Sequence, residues 1–297
     1  MTLRIAIMTE DPGWHGGELS RALEARGAAV AFASLRDCRF DLSHGPHGLF
    51  IPGFERRLPE GVLLRGLPGG SLEQVVMRLD VLHALSALGV PVYNDPRAVE
   101  RTVDKGMTSF LLGHAGCPTP PTCVTEAPAQ ARAFLARESA AGHEVVAKPL
   151  FGSLGVGLRR LQAGMDIPDA SECSGVWYLQ RYVETGPGGA DWHDWRVLVI
   201  AGAAVAAMVR RGSSWISNVA QGARCEAAVP DRELEALAAR AAAAVGADYA
   251  GVDLVRDREG RFQVIEVNGI PAWRGLQSVS SFDIAGRVVE DFLSRRQ

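Results

Sequence analysis

Apolar residues fall into short runs and helical stripes that alternate through the first third of the chain. Leu3 to Met8 is an apolar run of strand length, a helical pattern follows from about Gly17 to Arg26, and Ala29 to Ala33 and Val62 to Arg65 read as further strands. Leu72 to Leu88 carries a helical stripe, and Val90 to Tyr93 is a last short strand. This alternation predicts a small open α/β domain. Gly13, Gly16 and Gly17 follow the first strand without spelling G-x-G-x-x-G, so they predict a strand-to-helix turn rather than a dinucleotide site.

Asn94-Asp95-Pro96 is a turn signal that closes this unit, and Ala98 to Ala115 then reads as one helix before Pro118, Pro120 and Pro121 break the chain. A first domain of residues 1–95 is expected. From Cys123, a strand, a helix over about Ala129 to Ala140, the strand Glu144 to Lys148, a glycine-rich loop and the strand Gly157 to Gln162 predict an α+β lobe over 96–180. After Val176 to Tyr182 the pattern becomes strand-rich. Trp195 to Ile200 and Ala203 to Val209 flank the tight turn Ala201-Gly202, and Tyr249 to Arg256 and Phe262 to Val267 flank Asp257 to Gly260. With helices over Asp231 to Val245 and Asp283 to Arg295, this makes a third region, 181–297.

Composition narrows the class. A chain of 297 residues that is 47% hydrophobic and 22% charged suits a folded enzyme of several lobes. A formal charge of -3 removes the sequence-wide positive field of a nucleic-acid binder, so no nucleic-acid partner is expected. Met1 to Met8 lacks the basic start and length of a signal peptide, and no run reaches the ~20 apolar residues of a membrane helix. A cytoplasmic protein with no membrane partner is expected. The cysteines Cys38, Cys117, Cys123, Cys173 and Cys225 form no C-x-x-C pair, and His44 and His47 flank the turn Gly45-Pro46, which suits a solvated loop better than a metal site.

Three features carry candidate chemistry. The strand Val145 to Lys148 runs into Pro149-Leu150-Phe151-Gly152-Ser153-Leu154-Gly155-Val156-Gly157, where glycines let backbone N–H groups approach a polyphosphate and Lys148 adds a point charge. The same stretch equally suits a glycine-rich hairpin with a surface lysine. Second, Glu266 and Asn268 share one face of their strand, and hairpin pairing can bring Asp253 beside them. Carboxylate and amide oxygens at this spacing suit Mg²⁺; a solvated face of unrelated acids is the alternative. Third, Lys105, Arg196, Arg210 and Arg211 are placed to converge on a triphosphate, although Arg211 can equally point to solvent.

In order, Asp104-Lys105, Lys148-Pro149 with its loop, Gln180-Arg181-Tyr182-Val183, Asp194-Trp195-Arg196, Arg210-Arg211 with Ser217-Asn218, Gly251-Val252-Asp253-Leu254 and Glu266-Val267-Asn268 resemble the RimK family of ATP-grasp ligases over residues 94–297. The resemblance implies an ATP-grasp fold, α/β and α+β, preceded by an open α/β domain. It implies ATP between the lobes, with Lys105 and Lys148 on its phosphates and Gly152, Ser153, Gly155 and Gly157 closing over them. Gln180, Arg181, Tyr182 and Val183 would line the adenine side, with Asp194 and Arg196 in the same binding set. Asp253, Glu266 and Asn268 would hold two Mg²⁺ ions, or Mn²⁺ in their place. Arg210 and Asn218 would steady an acyl phosphate formed from a substrate carboxylate and captured by an amine. The family further implies a homodimer or homotetramer.

The chain departs from the family pattern at Arg181, where an acidic residue is common, at Gln221-Gly222-Ala223 and at Asn268-Gly269-Ile270-Pro271-Ala272. Pro271-Ala272-Trp273-Arg274-Gly275-Leu276-Gln277, with Leu64-Arg65-Gly66 and Gln74-Val75-Val76-Met77-Arg78, is similar to the branch that glutamylates pterin or furan cofactors. On that reading Trp273 stacks on a flat ring, Arg65 and Arg274 pair with carboxylates, and a small-molecule carboxylate acceptor receives L-glutamate or another amino acid. Core packing is the other reading of Trp273. Competing expectations are ligation to a protein or peptide C-terminus, an inactive nucleotide-binding scaffold, and a kinase with the same phosphate apparatus.

Overall fold

The computed structural model describes residues 2–43, 47–152, 155–185, 192–229 and 231–295. Strand and helix alternate at first: β1 (Arg4–Met8), α1 (Gly13–Glu24), β2 (Ala29–Ala33), a hairpin of β3 (Arg39–Phe40) and β4 (Leu49–Phe50), β5 (Gly61–Leu64), α2 (Leu72–Ala87) and β6 (Val92–Tyr93). The sheet order is β2-β1-β5-β6 with every pairing parallel, so both faces need cover. Side-chain alternation divides the strands accordingly. Ala6, Met8, Val62 and Leu64 pack with Leu82 and Leu85 of α2, while Ile5, Ile7 and Leu63 pack with Leu19 and Leu23 of α1. Helix α1 starts at Gly13 rather than near Gly17 because the glycines belong to its packing. A Cβ on Gly16 would stand 3.1 Å from the Phe32 ring and 3.2 Å from Pro12.

The next elements are α3 (Pro96–Val103), α4 (Lys105–His114), β7 (Thr122–Thr125), α5 (Pro128–Ala140), β8 (Val145–Lys148), β9 (Arg159–Leu161) and β10 (Trp177–Arg181). An antiparallel sheet in the order β7-β10-β8-β9 is covered by α5 through Ala131, Phe134 and Leu135. The single helix expected from Ala98 to Ala115 is instead two. The Asp104 carboxylate accepts hydrogen bonds from Gly106 N at 2.8 Å and Met107 N at 3.0 Å, capping a new helix rather than continuing the old one. That break sets Lys105 at the start of α4. Strand β9 is shorter than Gly157 to Gln162 because Gly157 sits at φ +76°, outside the extended region.

The remaining elements are β11 (His193–Ile200), β12 (Ala203–Arg211), β13 (Arg224–Ala227), α6 (Arg232–Val245), β14 (Tyr249–Arg256), β15 (Phe262–Asn268), α7 (Arg274–Gln277) and α8 (Ile284–Ser294). The sheet runs β13-β12-β11-β14-β15 and is antiparallel throughout. Along β11, Val197 and Val199 pack with Leu237 and Ala241 of α6, whereas Leu198 and Ile200 pack with Val288 and Phe292 of α8. The sheet is therefore buried on both faces along this strand, and the α8 side continues into the core beneath β1. Asn94, expected only as part of a turn, clamps this junction. Its Nδ2 donates to Tyr249 O at 2.7 Å and Gly269 O at 2.6 Å, and its Oδ1 accepts from Asp248 N and Tyr249 N. Among the described residues no helix is long and apolar enough to cross a membrane.

Candidate active site

Strand register lays a row of charged side chains across the large sheet. Asp194 pairs with Arg210 between β11 and β12, Arg196 pairs with Asp253 between β11 and β14, and Asp253 pairs with Glu266 between β14 and β15. Because Asp194 and Arg196 are two apart on one strand, they share a face, and the row alternates in sign as far as Asp253, beyond which Glu266 adds a second acid. Arg210 grips Asp194 through Nε at 2.7 Å and Nη2 at 2.5 Å, and its Nη2 reaches Asp253 at 3.0 Å. Arg196 holds Asp253 from the other side through Nε and, at 2.7 Å, through Nη2.

Asp194, Arg210 and Asp253 are all buried. Burial pushes the Asp194 carboxyl up, with Arg210 opposing, whereas at Asp253 burial is outweighed by Arg196 and Arg210, which hold it below the usual range. The Arg210 guanidinium lies above its ordinary value; burial works against this, and its two acids overcome it. Such a network is strongly constrained, because removing one member strands a buried charge.

Two lysines face this row, Lys148 at the end of β8 in the smaller sheet and Lys105 at the start of α4. Lys105 Nζ donates to Gly152 O at 2.6 Å and lies 3.8 Å from Glu266. Lys148 Nζ donates to Gln180 Oε1 at 2.7 Å, and Gln180 Nε2 is fixed in turn by Thr122 Oγ1 and the Tyr178 hydroxyl, each at 3.1 Å. Burial pushes the Lys148 ammonium down to about 8; Glu266 and Asp253 pull it back up, and Lys105 adds to the fall. Gln180 thus orients the lysine, as well as lying where the resemblance places adenine.

The two lobes enclose a cleft with an empty volume of about 1000 Å³, including space open to solvent. Among the expected residues it is lined by Lys105, Lys148, Gly152, Gly155, Gln180, Arg181, Tyr182, Val183, Asp194, Arg210, Asn218, Asp253 and Glu266. Ser153 lies outside the described residues. Gly157 is turned away from the cleft toward a smaller pocket behind Pro149, and a Cβ there would strike Pro149 at 2.8 Å. Arg196 lies behind Asp253, and Asn268 lies beside Gly251, to whose carbonyl its Nδ2 donates at 3.4 Å. At Gly155, where φ is +73°, a Cβ would come within 2.8 Å of Asn218 Nδ2 and 3.0 Å of Ile216. The glycine-rich loop therefore rests against the loop bearing Asn218, across the cleft.

The guanidinium of Arg181 is spent on Glu138 of α5, which is 2% exposed, at 2.7 Å. The departure from the common acidic residue is thus absorbed by a neighbouring helix. Trp273 does not offer a ring to an acceptor: it is 1% exposed, packed in the core with Met208 and Leu276, and covered by Arg65. Trp192, Trp215 and Ile216 line the cleft without having been anticipated. The pair Trp215-Ile216, standing alone in a polar run, was the available signal.

The donor types suit Mg²⁺, and both Asp253 oxygens are engaged by Arg196 and Arg210 in this arrangement, so an ion would share Asp253 with them. Glu266 is half-buried and faces the cleft, Asp253 is its cross-strand neighbour, and Asn268 is two residues along the same face. Among the described residues no three His, Cys, Asp or Glu side chains are grouped to cage a metal. A pair of carboxylates with an amide oxygen, completed by phosphate oxygens, is how Mg²⁺ is commonly held.

Fold and cleft together define an ATP-grasp protein. The structure of the ATP-grasp ligase PsnB complexed with a phosphomimetic variant of its minimal precursor, Mg and ADP aligns with a TM-score of 0.71 at 23% identity, over 100% of this chain and 99% of that one. The RimK-like ATP-grasp domain matches residues 102–292, and the chain belongs to that family, an ADP-forming carbon–nitrogen ligase by class. The tetrahydromethanopterin:alpha-L-glutamate ligase of Methanocaldococcus jannaschii is 35% identical over 224 residues, covering 73% of this chain and 74% of its own. The enzyme of the same name from Methanococcus maripaludis is 32% identical over 98% of both chains.

Proposed function

We propose that this chain joins L-glutamate to a carboxylate of a small pterin-type acceptor, with ATP converted to ADP and phosphate. The chemistry rests on one observation: the charged row Arg210, Asp194, Arg196, Asp253, Glu266, which ends in two neighbouring acids, lies across the cleft from Lys105 and Lys148. The substrate reading is supported by the names of the relatives above, matched over most or all of their length.

On this reading Lys105 and Lys148 hold the phosphates, and Tyr182 and Val183 line the base. Asp253, Glu266 and Asn268 would hold Mg²⁺, two ions on this reading, which would neutralise phosphate charge and polarise the transferred group. An acceptor carboxylate oxygen attacks the γ-phosphorus, the bond to ADP breaks, and an acyl phosphate forms. The neutral amine of glutamate then attacks the acyl carbon, loses a proton and expels phosphate. Arg210, fixed by two acids, supplies positive charge at the end of the row nearest Asn218, and the Gly155 loop resting on Asn218 keeps water from the acyl phosphate.

An ADP-release assay with Mg²⁺ and L-glutamate against pterin, furan and peptide acceptors tests this reading. Glutamyl mass gain on a pterin is expected. Gain only on peptides, or phosphate retained on the acceptor, would contradict it.

A further inference from the structure

Open α/β sheets receive ligands at the carboxyl ends of their strands. Arg65 directly follows β5, and His15 stands in the first turn of α1, the helix that follows β1. Arg65 is held rigidly. Its Nη1 donates to Pro271 O at 2.9 Å and to the Tyr249 hydroxyl at 3.2 Å, and its Cζ lies 4.6 Å over the Trp273 ring. Its Nε is buried with no hydrogen-bond partner among the described residues. His15 Nε2 accepts from Trp273 N at 3.0 Å and Arg274 N at 3.2 Å, which leaves the ring proton on Nδ1. Burial, Arg65 and Arg274 together push this histidine down to about 4.

No acid pairs with Arg65 or Arg274 among the described residues. A partly buried guanidinium without a counter-charge is costly, and a ligand carboxylate is what its planar fork matches. The place also borders the active site. A Cβ on Gly251 would meet Pro271 at 2.9 Å and Arg196 Nη1 at 3.2 Å, so Pro271, which accepts from Arg65, and Arg196, which holds Asp253, both flank Gly251.

We infer that Arg65 and Arg274, steadied by Trp273 and His15, form a carboxylate-holding site for a substrate of the ligation, and that its occupant is the incoming amino acid. This rests on the proposed ligase reading. The reacting carboxylate of the acceptor belongs at the Arg210 end. L-Glutamate brings an α- and a γ-carboxylate, neither of which reacts, and two arginines without acids match them. Trp273 serves as the platform under Arg65 rather than a surface for a ring.

The test has a binding arm and a kinetic arm, with ADP affinity of each variant measured alongside. In the first, glutarate, an inert dicarboxylate, is expected to raise the melting temperature of the ADP–Mg²⁺ complex, while uncharged glutaramide does not. The effect is expected to vanish in Arg65→Gln and in Arg274→Gln. In the second, KM for L-glutamate is expected to rise ~10- to 100-fold in these variants, with ADP affinity unchanged and partial recovery in Arg65→Lys. A rise confined to KM for the acceptor would keep the carboxylate site and give it to the acceptor. Glutarate stabilisation that persists in both variants, or unchanged KM for both substrates, would overturn the inference. If Arg65→Gln does not fold, Arg274→Gln, at an exposed position, carries the test. The glutarate arm needs no turnover, so it reads even where the ligase reading fails.

Discussion

Lys148 shows how one residue's surroundings set its chemistry. From sequence its glycine-rich neighbourhood was equally a hairpin with a surface lysine; the structure supplies burial and the Gln180 carboxamide, two strands' pairing away, which no local pattern displays. With its ammonium pushed down to about 8, the empty site loses this charge as pH rises through that value. On the proposed reading phosphate binding needs the proton, so affinity for ADP is expected to fall by up to ~10-fold per pH unit above 8. Titration calorimetry across pH 7 to 10 checks this, with proton uptake on binding above pH 8. In Lys148→Met that dependence is expected to flatten and turnover to drop by ~100- to 1000-fold. An unchanged pH profile in the variant would assign the titration to another group. Trp273 marks the opposite limit of sequence reading: an aromatic in a motif reads as a ligand platform until its burial is seen.

Among the elements, β14 and most of β15 were legible almost to their ends, β14 because burial on both faces demands a nearly continuous apolar run and β15 because its buried and half-buried positions largely alternate. What escaped were features set by single polar atoms or distant packing. Asp104 divides one helical pattern into α3 and α4, and β13 is a short, polar edge strand that only pairing with β12 defines. The Gly155 loop belongs to the same class. Its left-handed backbone and its contact with Asn218 and Ile216 leave no room for a side chain. Gly155→Ala is therefore expected to cost about 1–3 kcal/mol in the closed arrangement and to weaken ADP by ~5- to 100-fold, with little change in global stability. Quenching of Trp215, which lines the cleft, reports the affinity. Wild-type affinity in Gly155→Ala would show that the loop contact is not part of nucleotide binding.

For the molecule as a whole, the order of motifs pointed to the ATP-grasp family, while assembly of the site depends on contacts no motif encodes. The charge row exists because two hairpins far apart in sequence, β11–β12 and β14–β15, pair through β11 and β14 in the right register. The parallel sheet at the N-terminus joins that assembly through Asn94 and through Arg65 on Pro271. The acceptor's identity was the least legible part, since the departures at Gln221 to Ala223 and Ile270 to Ala272 fall where the resemblance places the acceptor and the incoming amine. The most direct test of the central claim follows the oxygen atom. With a pterin acceptor whose carboxylate carries heavy oxygen, ATP and L-glutamate, the account requires one heavy atom in the phosphate released as each acceptor molecule gains its first glutamyl unit. Released phosphate with no heavy oxygen, or label retained in a phosphorylated acceptor, would contradict ligation through an acyl phosphate.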